Sequence, residues 1–338
     1  MARPRPRRPS PLPVFYELDY AAWRQSTILA ACELGVFDRV AAGKSTVRDI
    51  AADVGANEGA MRRLLDALVS LRYLTRKADH YRLTPRAARY LITSSDLYMD
   101  GVVALARGNA ARWSNLAEAV KTGRPPAPRS AEEMTRFFST LVRAIFPLGF
   151  MGSRSAVAAL DKKARARIGA ILDVAAGAAA WSIPFAQAIP RARVTVADLP
   201  GVTSVAREYA ARFGVAERFD YLEGDLREID FGRERFDLVI LGHIIHGEGR
   251  EHGRRLVERS FAALKDKGML LIAEFIPNDD RTGPEVPILF GLNMLLARPD
   301  SDVFTMREYR EWLKAAGFRG IRTVATPNQP SPLILATK

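Results

Sequence analysis

Three short segments hold residue types whose spacing could bind a nucleoside. In Leu172-Asp173-Val174-Ala175-Ala176-Gly177-Ala178-Ala179-Ala180 an apolar run gives way to small residues. Such a turn lets backbone N–H groups approach a ligand at a helix N-terminus. Twenty-one residues beyond Gly177, a second apolar run ends in Asp198, placed to accept hydrogen bonds from ribose hydroxyls, and a third polar element follows at Gly224-Asp225-Leu226. Each stands where a strand ends, and ligands of α/β folds bind at that edge. A second cluster is richer in titratable groups, since His243, His246 and His252 lie within ten residues. A His-x-x-His pair invites a metal reading, but it straddles a strand-to-loop transition and no Cys lies nearby to complete a ligand set. The expectation is no metal.

These segments need elements to position them. From residue 166 onward strand and helix patterns alternate: 168–174, 193–197, 219–223, 236–241 and 269–274 read as strands, with helices near 180–189, 202–213 and 250–265. That order predicts an α/β fold with a mostly parallel sheet flanked by helices. A last helix over 305–316, ending at Gly317, precedes a strand pair at 321–326 and 333–337. Earlier in the chain, a long helix begins at about Tyr16 and is ended by Gly35 as its C-cap, while apolar residues near helical spacing continue to Val36 and Phe37. Two shorter helices then have helix-turn-helix spacing, and two strands around 73–84 complete a winged helix.

Composition narrows the class. Of 338 residues, 48% are hydrophobic and 26% charged, which is ordinary for a globular protein, and Cys32 alone cannot form an internal disulfide. We therefore expect a cytoplasmic protein, with neither signal peptide nor membrane span. Lys plus Arg exceed Asp plus Glu by 50 − 38 = 12, but Arg3, Arg5, Arg7 and Arg8 supply four of these in a Pro-rich arm. The remainder reads as a solvated surface.

Taken together, the Cys32-to-Asp38 helix end, the winged helix, Leu172–Gly177, Asp198-Leu199-Pro200, Gly224-Asp225, Ile244-Ile245-His246, Gly268–Glu274 and Ala315-to-Phe318 resemble a known family. It is the class I S-adenosylmethionine-dependent O-methyltransferases with an N-terminal winged-helix dimerisation domain, and the resemblance spans roughly residues 15–338. It implies a Rossmann-like, mostly parallel seven-stranded sheet. Ahead of it, residues 1–14 read from their Pro- and Arg-rich composition as a flexible arm, and the resemblance implies a dimerisation domain over 15–100, connecting helices over 101–165 and a catalytic domain over 166–338. The cofactor would be S-adenosylmethionine, leaving as S-adenosylhomocysteine, held by Asp173, Ala175, Gly177, Asp198, Leu199, Asp225, Leu226 and Gly242. His246 falls where the family has its catalytic base, with Glu274 as the acid that orients it.

Departures stand beside the likeness. The family's loop has glycines in three alternating places, two of which are Ala175 and Ala179 here. An alanine Cβ opposes positive φ. Gly247 stands where an Asp commonly follows the base and Val303 where many plant members have a second acid, so a more loosely held base is expected. For the acceptor, the candidates are Phe138, Leu141, Val142, Phe146, Phe150, Met151, His243, Phe290, Asn293, Met294 and Leu295, an apolar wall suited to a flat aromatic or polyketide-like molecule. Trp181 could touch the cofactor or pack beneath it. The predicted activity is methyl transfer to a hydroxyl of a secondary metabolite or pigment precursor by a homodimer. The alternatives are C- or N-methylation, or a non-methylating use of the same cofactor. A DNA-binding regulator is a rival reading, since Arg62 and Arg63 lie on the second helix of the winged helix. That helix is too apolar to favour nucleic acid as partner.

Overall fold

The computed structural model describes residues 12–125, 130–327 and 329–338; the first eleven residues of the expected arm fall outside them. The chain divides into two units, up to Met99 and from Asp100.

In the first unit, α1 (Leu12–Phe15) and a π-helical turn (Tyr16–Tyr20) run into α2 (Ala21–Glu33). Residues 12–14, expected in the arm, are therefore helical. The long helix ends ahead of Gly35, as that residue's expected role as C-cap requires, and the apolar spacing beyond it belongs to another helix. Gly35 takes a left-handed φ of 58°, and Val36 and Phe37 belong to α3 (Val36–Ala41), where they are buried. A left-handed residue satisfies the last carbonyls and turns the chain, so the apolar spacing continues on a new axis. Next come α4 (Val47–Val54), capped by Thr46, and α5 (Glu58–Ser70), capped by Asn57. The antiparallel pair β1 (Leu74–Lys77) and β2 (His80–Leu83) follows, then α6 (Pro85–Tyr90). Phe37, Ile50, Met61, Leu65, Leu68 and Tyr81 fill the core. Arg62 on α5 is engaged within the unit, 3.0 Å from Asp66, which also meets Arg76 and the Tyr81 hydroxyl. Val14, Phe15, Tyr16, Leu18 and Trp23 are each more than half exposed.

The second unit opens with α7 (Val102–Trp113), α8 (Leu116–Thr122) and α9 (Ala131–Ala159), the last begun by a Ser130–Glu133 capping box, then α10 (Lys162–Arg165). Strands and helices then alternate: β3 (Ala170–Val174), α11 (Ser182–Ala188), β4 (Arg193–Asp198), α12 (Pro200–Arg212), β5 (Phe219–Glu223), β6 (Phe236–Gly242), α13 (Ile245–Ala263) and β7 (Leu264–Ala273). After these come α14 (Glu285–Leu295), α15 (Met306–Ala316), β8 (Arg319–Val324) and β9 (Leu333–Thr337).

The seven strands form one sheet in the order β5-β4-β3-β6-β7-β9-β8. The first five are parallel and β9 is antiparallel to both its neighbours. β3 is central, and Ile171, Leu172 and Val174 are fully buried, because helices cover both faces. Parallel strands deliver their carboxyl ends to one edge. The turns after β3, β4, β5, β6 and β7 therefore share that edge, with the switch in strand order on either side of β3.

Candidate active site

The turn after β3 is built from alternating left-handed residues. Ala175, Gly177 and Ala179 have φ of 52°, 58° and 56°. The two alanines thus adopt the conformation that their Cβ was expected to forbid, at about 1–2 kcal/mol each. Local hydrogen bonds impose it. The Ala175 amide donates to the Ala197 carbonyl at 2.8 Å and the Gly177 amide to Asp198 Oδ2 at 2.9 Å. α9 covers the turn, with Val142 so close that a Cβ on Gly177 would lie 2.8 Å from its Cγ1.

Three of the expected cofactor residues along this edge are carboxylates. Asp198 is buried, and its second oxygen accepts from the Leu199 amide at 2.7 Å. Burial pushes its carboxyl up to about 6, with the two amides opposing. Asp173 is buried one strand over, neither oxygen having a hydrogen-bond partner. Burial pushes it up to about 7, the nearby Ser182 only partly compensating. Asp225 is exposed after Gly224, accepting from the Arg227 amide at 2.8 Å, with Leu226 half-buried beside it. At the end of β6, Gly242 lies against the indole of Trp181, which would overlap a Cβ there. That indole also abuts Gly149 and Gly152 of α9, where an added Cβ would lie 3.3 and 2.9 Å from it. The Ser153 hydroxyl donates to the Trp181 carbonyl. Trp181 therefore packs between helix and sheet.

The other half of the edge holds the imidazoles. Glu274, the first residue past β7, is buried, and its Oε2 lies 2.7 Å from His246 Nδ1 while Oε1 accepts from the His246 amide at 3.2 Å. Ring and backbone are both held, so His246 is fixed more firmly than the Gly247 and Val303 departures suggested. Val303 is buried core, and a Cβ on Gly247 would meet open space. Burial opposes ionisation of Glu274, but the charge and hydrogen bond of His246, with the charge of His243, hold its carboxyl below the usual range. His243 has a φ of 60°, and its Nε2 lies 3.0 Å from Gln329 Oε1. Gln329 Nε2 donates to the Leu148 carbonyl, which fixes that amide so that His243 Nε2 carries the proton. Burial pushes the His243 imidazole down, favouring its neutral form. One ring nitrogen of each histidine and one Glu274 oxygen lie within 4.8 Å of one another.

Aromatic rings wall this pair. Phe275 and Phe290 stack at 3.7 Å and 18°, and Phe290 stands edge-on to His246 at 4.9 Å. Phe275 also lies 5.0 Å from His243. Sequence reasoning missed Phe275 and Gln329; the one available signal was an aromatic directly after Glu274. One turn beyond Phe290, Asn293 Oδ1 accepts from Arg112 at 2.6 Å and from Trp113 Nε1 at 3.3 Å, both on α7. Met294 is buried, while Phe138, Leu141, Met151 and Leu295 are half-buried. Phe146 and Phe150 correct the expected acceptor wall. They are buried between α9 and α12, Phe146 lying 4.3 Å from Tyr209 and Phe150 4.9 Å from Phe213. Helical spacing of aromatics looks the same whether the face meets a ligand or a neighbouring helix.

Comparison with known proteins gives the site a context. Residues 113–319 match the model of an O-methyltransferase domain, and residues 17–93 that of an O-methyltransferase dimerisation domain. The chain is 31% identical to 3-hydroxy-5-methyl-1-naphthoate 3-O-methyltransferase of Streptomyces sahachiroi, over 91% of this chain and 90% of that one. Among solved structures, an O-methyltransferase of Nostoc punctiforme superimposes with a TM-score of 0.83 at 28% identity, covering 98% of this chain and 100% of the other. Human N-acetylserotonin methyltransferase in complex with SAM gives 0.79 at 28%, covering 99% of each.

Proposed function

Since the chain belongs to the S-adenosylmethionine-dependent O-methyltransferase family, we propose that it methylates a hydroxyl of a small aromatic or polyketide-like secondary metabolite, with His246 as general base. The observation that carries this reading is the buried His246–Glu274 pair beside the Phe275–Phe290 stack. When bound, the cofactor supplies an electrophilic methyl group on its sulfonium. The residues present suit that ligand. Asp173 has two buried, unpartnered oxygens able to receive an ammonium, and Asp198 retains lone pairs for ribose hydroxyls. Asp225 and Leu226 would flank the adenine.

Glu274 holds the Nδ1–H tautomer of His246, which leaves the Nε2 lone pair to take the proton of an acceptor hydroxyl. As the ring gains charge, the ionised Glu274 stabilises the cation without itself accepting the proton. The paired phenylalanines offer a flat apolar surface against which an aromatic acceptor can lie edge to His246. The exposed apolar side chains of residues 14–23 support pairing with a second copy through the dimerisation domain.

The test is His246→Ala, assayed for turnover with an accepted phenol and for S-adenosylhomocysteine affinity by calorimetry. Turnover should fall by roughly 10²–10⁴ while affinity stays within about twofold. Undiminished turnover would remove the base.

A further inference from the structure

Asn293 is the one polar residue among the acceptor candidates of α14, and its carboxamide has no freedom to flip. Both hydrogen bonds that reach Oδ1 come from groups unable to accept, the Arg112 guanidinium at 2.6 Å and the Trp113 indole N–H at 3.3 Å. Reversing the amide would set N–H against N–H twice and forfeit a charge-assisted bond. Oδ1 has two lone pairs and both are used. Nδ2 is neither buried nor donating to any of the described residues. Phe290 and Asn293 are three positions apart on α14 and so share a face, and Phe290 is the ring edge-on to His246.

Resting on the base reading above, we propose that Arg112 and Trp113 are positioning residues that lock Asn293 with its N–H₂ outward. The acceptor molecule then carries a carbonyl-type oxygen, ketone or carboxylate, on the ring system that bears the methylated hydroxyl. A donor at that place, an amine, meets N–H and leaves both groups unpaired. The Arg112 charge behind the amide polarises its N–H further toward an oxygen.

The experiment compares two probes of like size, 1-acetyl-3-hydroxynaphthalene and 1-amino-3-hydroxynaphthalene, titrated into the full-length enzyme with S-adenosylhomocysteine present. The ketone should bind ten- to a hundred-fold more tightly, on the order expected when a bound ring covers Nδ2 and either satisfies its N–H or leaves it unmade. Trp113→Phe, which keeps the ring and removes the N–H, should reduce that ratio several-fold, and Arg112→Leu should bring it to within about threefold of unity. Arg112→Lys should keep most of it, and in turnover the losses should appear in KM more than in kcat. Equal affinities, no binding of either probe, or a ratio untouched by Trp113→Phe and Arg112→Leu overturns the proposal. A His246→Ala enzyme with full turnover and an intact ratio would remove the base and leave this inference standing.

Discussion

Asp173 and Asp198, at the ends of β3 and β4, and Glu274, past the end of β7, are all withdrawn from water, yet their carboxyl groups move in opposite directions. Burial lifts the first two to about 7 and about 6, whereas in Glu274 the imidazoles outweigh burial. What separates them is an imidazole partner, a ring able to take up positive charge. Glu274 has His246 at 2.7 Å, Asp198 has two neutral amides, and Asp173 has no hydrogen-bond partner. One side of the edge is electrostatically complete within the chain. The other, in the function proposed above, would be completed by groups that the ligand brings, an ammonium and hydroxyls.

Breaking the complete side should have the largest effect. Glu274→Gln keeps the shape but removes the charge that stabilises protonated His246, so kcat should drop by roughly 100-fold or more. Affinity for the cofactor, measured by calorimetry, should not change; a variant that loses both functions would show that the two halves are not independent.

Asp173→Asn sharpens the contrast through stability. Asp173 has a folded pKa raised from 3.8 to about 7, so the folded state binds its proton more tightly. Its cost is absent below about pH 4 and grows as pH rises toward 7. In the ligand-free enzyme the variant should match wild type near pH 4 and exceed it at pH 8 by roughly 1–3 kcal/mol, read from denaturation midpoints. It should also bind the cofactor more weakly. For Glu274 the sign is reversed, because a depressed carboxyl stabilises the fold above its unfolded value and loses that as pH falls through the folded one. Parallel pH profiles for Asp173→Asn and Glu274→Gln would erase the distinction.

The smallest effect concerns the turn itself. Ala179→Gly relieves left-handed strain but loosens the unfolded chain, leaving a net gain of at most about 1 kcal/mol in thermal or chemical denaturation. A clear loss of stability would mean that the turn is unstrained.

The half of the edge proposed to hold the cofactor was legible as a cluster in the sequence because it is local. Asp173, Gly177, Asp198 and Asp225 each sit where an apolar strand pattern ends, and parallel strands bring such ends together automatically. His246 and Glu274 were reached through their place in a family pattern. The acceptor half was not legible in the same way. Gln329 meets His243 across 86 residues and Arg112 meets Asn293 across 181, and no local periodicity encodes such pairings. Phe146 and Phe150 were placed with the acceptor because their spacing marks a buried face without saying what buries it. Gly35 shows the same limit at an element boundary, where one apolar rhythm crosses two helices.

Trp181 has a consequence for how this sequence can change over evolutionary time. Its indole lies where side chains at Gly149, Gly152 and Gly242 would otherwise reach. At Gly242 the indole alone fills the space a side chain would need, whereas at Gly152 the Gln329 amide and at Gly149 the Ala180 Cβ stand nearer than the ring. Positions 181 and 242 are therefore inherited as a pair. Descendants of this chain can enlarge the residue at the end of β6 only together with a smaller side chain at 181, while the two α9 glycines are held by further neighbours as well.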